Sequence, residues 1–288
     1  MIYFPNAKIN LGLRVLGKRA DGFHEISSLF IPTQWCDVLE VIARENGERG
    51  RFNLTCEGLE IECESDDNLV AKAHALISKD YDLPEIQAQL IKVIPSGAGL
   101  GGGSADGAFM LKAINDICKL GLTKEKLKSY ASILGSDCPF FIENCASKVG
   151  GRGEVINNID SHLDLSGVNI LIIHPAIHIN TKEAFSSIEH TTKYEGITFE
   201  EIKKLDELPL DAYATLLKND FEAPILKKEK NIDKALDIIK RSGSKYSQMT
   251  GTGSAVFGLY RFHNNIEVNR AISEAKELGW TTYFGALS

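Results

Sequence analysis

Apolar and polar residues alternate strictly near the start of the chain, in the stretch AKINLGLRV at 7–15. Successive side chains of a strand point to opposite faces, so the pattern predicts a half-buried strand with Lys8 and Asn10 side by side on its polar face. An Asp21-Gly22 pair followed by the stretch FHEISSLFI predicts a turn and a returning strand. The N-terminal segment is therefore expected to form a hairpin.

Helical spacing of apolar residues appears from Leu69 to Lys79, after ESDDN, in which an aspartate is suited to cap a helix. Strands are predicted for DVLEVIA, RFNLTCEG and AQLIKVI, and helices for Ala105 to Cys118 and Thr123 to Gly135. After a second glycine-rich stretch, VGGRGEV, the pattern predicts strands at 168–174, 245–249, 255–260 and 280–286 and helices near 181–190, 198–206, 211–219, 231–242 and 265–279. Helices and strands do not follow the order of a doubly wound sheet, which favours an α+β fold in two domains, 1–155 and 156–288.

Composition narrows the class of protein. With 43% hydrophobic and 25% charged residues in 288, the chain is expected to be globular and to have about two domains. A net charge of -7 and the lack of a long basic run disfavour nucleic acid as a partner. No apolar segment approaches the roughly 18 residues that span a bilayer, and a cytoplasmic protein is expected. The six cysteines form no C-x-x-C pair, which disfavours zinc and disulfides and predicts reduced core thiols, Cys138 being set aside because it follows Asp137.

The stretch PSGAGLGGGSADGA at 95–108 lies between a predicted strand and a predicted helix. Gly97, Gly99 and Gly102 match the dinucleotide fingerprint G-x-G-x-x-G, but the acidic strand end that should follow about 20 residues later is missing. No Gly-Lys-Ser/Thr follows either, which excludes a P-loop. So bare a backbone can approach a ligand closely and offer N–H groups at the start of a helix, which predicts a phosphate site. A purely structural turn is the alternative.

This stretch resembles the P-x-x-x-G-L-G-S/G-S-A motif by which GHMP kinases bind ATP. Three further segments are similar to the same family: AKINLGLRVLGKRADGFHE at 7–25, LGSDCPFF at 134–141 and MTGTGSAVFG at 249–258. The resemblance implies an α+β, two-domain GHMP kinase fold, with an N-terminal ATP domain that contains a left-handed βαβ unit, similar to domain 2 of ribosomal protein S5, and a C-terminal ferredoxin-like domain. It also implies ATP and Mg²⁺ as cofactors and an alcohol as the phosphate acceptor.

Within the family, the N-terminal segment and LGSDCPFF look most similar to members whose small-molecule substrate is 4-diphosphocytidyl-2-C-methyl-D-erythritol. Those members phosphorylate its 2-hydroxyl in the non-mevalonate pathway of isoprenoid biosynthesis. A homoserine or mevalonate type of kinase, or a non-catalytic protein of the same fold, are the alternatives. A monomer or homodimer is expected.

The matched motifs imply a site residue by residue. Lys8 and Asp137 match the catalytic pair: Asp137 would accept or orient the proton of the attacking hydroxyl, and Lys8 would keep Asp137 ionised and attract the γ-phosphate. The triphosphate would be held by Pro95, Ser96, Gly97, Ala98, Gly99, Leu100, Gly101, Gly102, Gly103, Ser104 and Ala105, with Asn68 near adenine. The second substrate would meet Asn10, Phe23, His24, Thr181 and Phe185.

Structural roles compete with several of these assignments. Asp137 could simply cap a helix before Pro139, and Lys8 could be an exposed strand residue. His24 could be a surface residue, Phe185 could belong to a helix core, and Asn180 with Glu183 makes a capping box beside Thr181. The sequence also departs from the family pattern, with Phe23 where tyrosine is usual and with Ala105 and Asp106 where serine and asparagine are frequent.

Overall fold

A computed structural model describes residues 1–60, 67–186, 188, 196–261 and 265–287. The chain divides into two compact units that interleave along the sequence. The first comprises Met1–Ala7, Trp35–Ser96 and Gly101–Asn144, and the second comprises Lys8–Gln34, Gly97–Leu100 and Cys145–Ser288. The glycine-rich stretch is thus shared: Gly97–Leu100 belongs to the second unit, and the residues of the stretch on either side of it belong to the first. The division at residue 155 stays a prediction about sequence domains.

The elements are numbered along the chain. The strands are β1 (Ile2–Tyr3), β2 (Asn6–Lys18), β3 (His24–Cys36), β4 (Val38–Arg44), β5 (Phe52–Gly58), β6 (Glu85–Lys92), β7 (Ser147–Gly150), β8 (Val155–Asn158), β9 (Asn169–His174), β10 (Tyr246–Met249), β11 (Val256–Tyr260) and β12 (Thr281–Ala286). The helices are α1 (Leu69–Ile77), α2 (Gly102–Ile117), α3 (Lys124–Leu134), α4 (Cys138–Glu143), α5 (Thr181–Ser186), α6 (Phe199–Glu207), α7 (Glu222–Lys228), α8 (Lys230–Arg241) and α9 (Asn265–Glu277), with a 3-10 helix at Leu210–Thr215.

The first unit contains a four-stranded sheet in the order β1-β4-β6-β5. Strands β5 and β6 are parallel and are joined through α1, so the βαβ unit that the resemblance implies is present. Helix α1 is capped by Asn68, whose Oδ1 accepts from the backbone N–H of Val70 at 2.9 Å, and not by an aspartate of the preceding run. Helix α2 begins at Gly102, three residues before the predicted start, because Gly101 supplies the left-handed turn (φ 71°) that leads into it.

The second unit contains an antiparallel sheet in the order β10-β11-β9-β12. Helix α8 precedes β10 and helix α9 connects β11 to β12, which gives the β-α-β-β-α-β succession of a ferredoxin-like domain. The sheet and the two helices bury a common apolar core that includes Leu171, Ile173, Ile232, Leu236, Ile239, Val256, Val268 and Trp280. The predicted ferredoxin-like domain is therefore confirmed.

Strands β2 and β3 are neighbours in a further sheet, β2-β3-β7-β8, which confirms the N-terminal hairpin. The prediction that β2 is half-buried is wrong, because Lys8 and Asn10 on its polar face are only 3% and 1% exposed. Strands β7 and β8 were not predicted. They pair through Gly150 and Val155, and the glycine-rich stretch VGGRGEV forms the turn between them.

Other predictions need smaller corrections. The segment 211–219 contains a 3-10 helix instead of an α-helix, and α7 was missed because Pro224 lies within it. The cysteines are not all core residues: within the described part of the chain Cys138 is buried, whereas Cys56 is exposed, and no disulfide joins them. Cys63 and the end of the helix predicted at 181–190 lie outside the described residues. None of the helices in the described ranges is long and apolar enough to cross a membrane.

Candidate active site

Lys8 lies in the second unit with its ammonium group against the glycine-rich stretch. Its Nζ donates to Oδ1 of Asn10 at 2.6 Å and to the carbonyl oxygen of Gly99 at 3.0 Å, and it stands 4.6 Å from the centre of the Phe30 ring. At 3% exposure it is not the solvated strand lysine that a structural reading would expect. A cation is thus held beside the stretch that was predicted to bind phosphate.

Asn10 connects Lys8 to a buried network. Its Nδ2 donates to the Ser28 hydroxyl at 2.9 Å, which itself donates to the carbonyl oxygen of Gly12 at 2.6 Å. Its backbone N–H donates to Oγ1 of Thr250 at 2.9 Å. Both the oxygen and the nitrogen of the Asn10 side-chain amide are therefore used inside the second unit, where they orient Lys8. The contact of Asn10 with a second substrate stays a prediction.

Thr250 was not identified from the sequence, although it lies in the motif MTGTGSAVFG. Its hydroxyl accepts from Asn10 and is also within 3.3 Å of the Gly99 carbonyl oxygen. It is completely buried. The signal was present in the motif, but which of its hydroxyls faces β2 could only be read from the fold.

Gly97 and Gly99 are required by close packing within the second unit. Both have left-handed φ angles, +66° and +77°. A Cβ on Gly99 would lie 2.3 Å from the backbone oxygen of Thr250, and one on Gly97 would lie 2.4 Å from Nδ1 of His178. The structural alternative therefore accounts for these two glycines without a ligand.

The helical half of the stretch, in the first unit, has different requirements. A Cβ on Gly102 would lie 2.9 Å from Cγ2 of Ile94, but one on Gly103 would meet nothing within 4 Å among the described residues. Gly101, at the N-cap position, has no side chain to cap α2. The first N–H groups of a helix have no partner within it, and they attract anions. The start of α2 therefore suits phosphate.

Asp137 lies next to this helix start through its neighbour Cys138. Cys138 opens α4, which packs against α2. Burial raises the pKa of the Cys138 thiol to about 12 against a smaller lowering by the Ser104 hydroxyl, so the thiol stays neutral. Asp137 is half-buried, and its side chain makes no capping hydrogen bond to the described residues of α4. The capping role that competed with catalysis is thus not realised.

The two catalytic candidates belong to different units, Lys8 to the second and Asp137 to the first. Each is linked within its own unit to the same continuous stretch: Lys8 donates to the Gly99 carbonyl oxygen, and Asp137 directly precedes α4, which packs against α2. Their direct pairing stays a prediction.

Asp106, where the sequence departs from the family pattern, points into the interior of the first unit. The Nζ of Lys92 donates to Asp106 at 2.8 Å and to Asp37 at 2.5 Å, and all three side chains are buried. Asp37 also accepts from the backbone N–H groups of Val93 and Ile94, at 2.6 and 2.8 Å. The ion pairs fasten α2 to the end of β6.

The charges of this cluster are unbalanced, because two carboxylates share one ammonium group. Burial, with a smaller contribution from the nearby Asp37, raises the pKa of Asp106 to about 7 despite the opposing effect of Lys92. Lys92 loses hydration, which lowers its pKa, but the two carboxylates outweigh that loss and its pKa is raised. Neither Asp37 nor Lys92 was identified from the sequence, because single charged residues carry no sign that they are buried.

Asn68 lines a small cavity in the first unit together with Lys92 and Asp106 of the charged cluster. Its walls are formed by Asp67, Asn68, Leu69, Lys92, Ser96, Gly103 and Asp106. Asn68 is 8% exposed and its Oδ1 is used to cap α1. Its contact with adenine stays a prediction, whereas its structural role is visible.

The residues predicted to bind the second substrate lie in the second unit. The rings of His24 and Phe185 stack at 4.8 Å with an angle of 17° between them, and Phe185 also packs edge-on against Phe221. Phe23 is 51% exposed, and the guanidinium carbon of Arg152 lies 4.8 Å from its ring centre. Rings at 4.8 Å are in contact, so no base fits between His24 and Phe185.

Thr181 is exposed at the first residue of α5. The preceding Asn180 accepts from the backbone N–H groups of Lys182 and Glu183, at 2.9 and 3.3 Å. The structural reading of Asn180 as a helix cap therefore holds. The substrate contact of Thr181 stays a prediction.

Mg²⁺ requires oxygen donors beside the phosphates. Within the described ranges, no group of three or more His, Cys, Asp or Glu side chains is arranged to hold a metal ion. Mg²⁺ in kinases commonly takes one or two protein oxygens, with the rest from phosphates and water. The Ser104 hydroxyl and the Asp137 carboxylate have this chemistry, so the residues present fit the ion.

Comparison with known proteins gives two matches to one family. The model of the GHMP kinases N terminal domain matches residues 68–144, and that of the GHMP kinases C terminal domain matches residues 198–279. A 4-diphosphocytidyl-2-C-methyl-D-erythritol kinase of Porphyromonas gingivalis is 40% identical over 91% of this chain and 92% of its own length. A protein of the same name from Bacteroides thetaiotaomicron is 41% identical over 90% and 92%. The resemblance stated from the motifs is confirmed at the level of the family.

Solved structures are similar over almost the whole chain. A crystal structure of 4-(cytidine 5'-diphospho)-2C-methyl-D-erythritol kinase has a TM-score of 0.79 at 25% identity and covers 99% of this chain and 98% of its own. A mevalonate kinase has a TM-score of 0.72 at 15% identity, covering 99% and 98%. The second match shows the fold alone, and the predicted α+β fold of this family is confirmed.

Proposed function

The chain belongs to the GHMP kinases, and from that membership we propose that it transfers the γ-phosphate of ATP to the 2-hydroxyl of 4-diphosphocytidyl-2-C-methyl-D-erythritol. The products are the 2-phosphate and ADP. Relatives of that name at about 40% identity over nine-tenths of the chain support this substrate. The observation that carries the kinase activity is the buried ammonium group of Lys8, held 3.0 Å from the Gly99 carbonyl oxygen.

Phosphoryl transfer asks the protein mainly to position reactants and to stabilise charge on the phosphoryl oxygens. Lys8 sits on a rigid strand with Asn10 fixing its direction, so its charge is placed before ATP arrives. Asp137 accepts the proton of the substrate hydroxyl or orients that hydroxyl. Its carboxylate makes no capping hydrogen bond to α4 that would compete with this role. The N–H groups at the start of α2 and the Ser104 hydroxyl bind phosphate oxygens.

Mg²⁺, when bound, neutralises charge on the nucleotide phosphates. The Ser104 hydroxyl is the protein group that would hold it, because Asp137 is assigned to the substrate hydroxyl. The protein's own part is to present the Ser104 hydroxyl in a place where the Cys138 thiol is neutral and adds no charge.

The base of the substrate is recognised by Phe23 and His24. Because Phe185 stacks directly on His24, it acts by fixing that imidazole, and the ring nitrogens of His24 hydrogen bond with the cytosine edge. Phe23 offers an exposed phenyl face on which the base stacks. Phenylalanine at this position keeps the stacking surface of tyrosine and gives up its hydroxyl.

Asp137→Asn tests the catalytic assignment. Turnover should fall by about 10²- to 10⁴-fold, the usual worth of a general base, while ATP affinity changes little. Asp116→Asn is the matched control, since Asp116 accepts a hydrogen bond from Tyr3 elsewhere in the first unit. Turnover within about tenfold of wild type would contradict the role.

The substrate is tested by ADP release with 4-diphosphocytidyl-2-C-methyl-D-erythritol, mevalonate, homoserine and galactose in parallel. We expect turnover with the first alone. Preference for mevalonate or homoserine would leave the kinase class standing and overturn the cytidine substrate. Cytoplasmic location and a monomeric or homodimeric state remain predictions.

A further inference from the structure

Arg152 presents a guanidinium group beside the exposed Phe23 ring, at 4.8 Å from its centre. The residue comes from the glycine-rich turn between β7 and β8, a stretch to which the proposed reaction gives no role. Arg152 is exposed, and it forms no ion pair with any residue in the described ranges. Its N–H donors therefore have capacity for a ligand.

The turn that carries Arg152 is fastened to β3 next to Phe23. The N–H of Gly151 donates to Oε1 of Glu25 at 2.8 Å, and the carbonyl oxygen of Gly151 accepts from Ile26 at 2.8 Å. The arginine is thus attached to the strand that begins directly after Phe23. Its position beside the ring is built into the sheet.

The nearby carboxylates are occupied by other donors. Glu25 pairs with Arg19 at 2.7 Å through its second oxygen, and Asp21 pairs with Arg19 at 3.1 Å. Glu154 accepts from the backbone N–H of Arg152 at 2.7 Å. Arg19 is engaged in these two ion pairs, whereas the side-chain N–H donors of Arg152 have no hydrogen-bond partner among the described residues.

We propose that Arg152 binds the diphosphate of the nucleotide-linked substrate while Phe23 carries its base. This assignment rests on the proposed function. A guanidinium group presents paired N–H donors that match phosphate oxygens in a bidentate way, and it keeps this edge open while its face rests on an aromatic ring. Only a ribose separates the base from the diphosphate of a nucleotide. A base stacked on Phe23 therefore brings its phosphates within the reach of the long arginine side chain.

Inhibition by cytidine and by CDP separates the two contacts. Both compounds are expected to compete with the substrate at saturating ATP, but only CDP carries a diphosphate. We expect Arg152→Gln to weaken CDP inhibition about tenfold, corresponding to about 1.4 kcal/mol, and to change cytidine inhibition less than about twofold. KM for the substrate should rise in parallel with the CDP constant, with KM for ATP unchanged.

Two further variants keep the experiment sharp. Arg152→Lys retains the charge without the planar fork and should recover part of the CDP affinity. Arg241→Gln removes an exposed arginine of α8 that pairs with Glu274, and it should leave both inhibitors unaffected. Raising the salt concentration should weaken CDP inhibition of the wild type more than that of Arg152→Gln.

Each other outcome is decisive. Equal weakening of cytidine and CDP would show that Arg152 acts only through the Phe23 ring and would overturn the diphosphate contact. Unchanged inhibition by both compounds would also overturn it. If neither compound inhibited the wild-type enzyme, the cytidine substrate of the proposed function would fall, and the role of Arg152 with it.

Discussion

Replacing two glycines of the same stretch by alanine should separate packing from ligand binding. Gly99 has φ +77°, and a Cβ there would lie 2.3 Å from the backbone oxygen of Thr250 and 3.0 Å from that of Gly253. Forcing a side chain into the left-handed region costs about 1–2 kcal/mol before any overlap is counted. Because the overlap is with backbone, the neighbouring segment has to move. We expect Gly99→Ala to lower the free energy of unfolding by more than about 2 kcal/mol.

Gly103→Ala should have the opposite signature. Gly103 lies in the first turn of α2, and an added Cβ meets nothing within 4 Å among the described residues. Alanine is favoured over glycine in a helix by up to about 1 kcal/mol, so the free energy of unfolding should stay equal or rise. Nothing described in the protein therefore requires glycine at this position. If phosphate approaches the helix start here, the methyl group should weaken ATP binding at least about tenfold, or about 1.4 kcal/mol.

Urea unfolding followed by circular dichroism measures the first quantity, and calorimetric titration with ATP measures the second. Gly17→Ala is the control, since Gly17 has no left-handed φ and no described atom within 4 Å of its added Cβ. Wild-type ATP affinity in Gly103→Ala would refute the assignment of the start of α2 to phosphate. Wild-type stability in Gly99→Ala would refute the packing argument.

Three further perturbations test the supporting network and the base site. The raised pKa of Asp106 means that the folded state binds more protons than the unfolded state between about pH 4 and 7, so the wild-type free energy of unfolding falls as pH rises through that window. Asp106→Asn should lack this fall. In urea unfolding, the free energy of unfolding of this variant relative to wild type should therefore rise by at least about 1 kcal/mol between pH 5 and 8. A constant difference would contradict that origin. Thr250→Val should cost about 1–3 kcal/mol in the same measurement, because the buried Asn10 N–H loses its acceptor, whereas Thr252→Val should not. Phe185→Ala should raise KM for the cytidine substrate much more than KM for ATP in initial-rate assays, and Phe185→Leu should do so less; equal effects on both constants would misplace the base site.

The motifs could be predicted from the sequence because each is a short continuous segment whose spacing carries its chemistry. Lys8 and Asn10 share a face of one strand, and that periodicity is readable without a fold. What covers this face is not readable. Thr250 contacts Asn10 across 240 positions of the chain, and the resulting burial turned a predicted half-exposed strand into a buried one.

The buried charges escaped prediction for a related reason. Asp37 lies between β3 and β4, Lys92 ends β6 and Asp106 lies in α2. They are 55 and 14 positions apart along the chain, and each looks in the sequence like an ordinary solvated residue. Local signals also competed with one another. Helix α7 was not predicted because it contains Pro224. Proline is nevertheless tolerated in the first turn of a helix, where the N–H that it lacks would have no intrahelical partner.

Ala105 and Asp106, the two departures from the family pattern within the glycine-rich stretch, change how the stretch packs against the rest of the first unit. They do not change the groups that the stretch exposes. Ala105 is completely buried and Asp106 turns inward to Lys92, so neither side chain is placed to meet a phosphate. The hydroxyls that remain in the stretch are those of Ser96, which is exposed, and Ser104, which is half-buried. Gly101 has no side chain to cap α2, and the buried ion pair between Lys92 and Asp106 holds this helix against the end of β6. Within this stretch, backbone N–H groups and the hydroxyls of Ser96 and Ser104 are therefore expected to bind the phosphates of ATP.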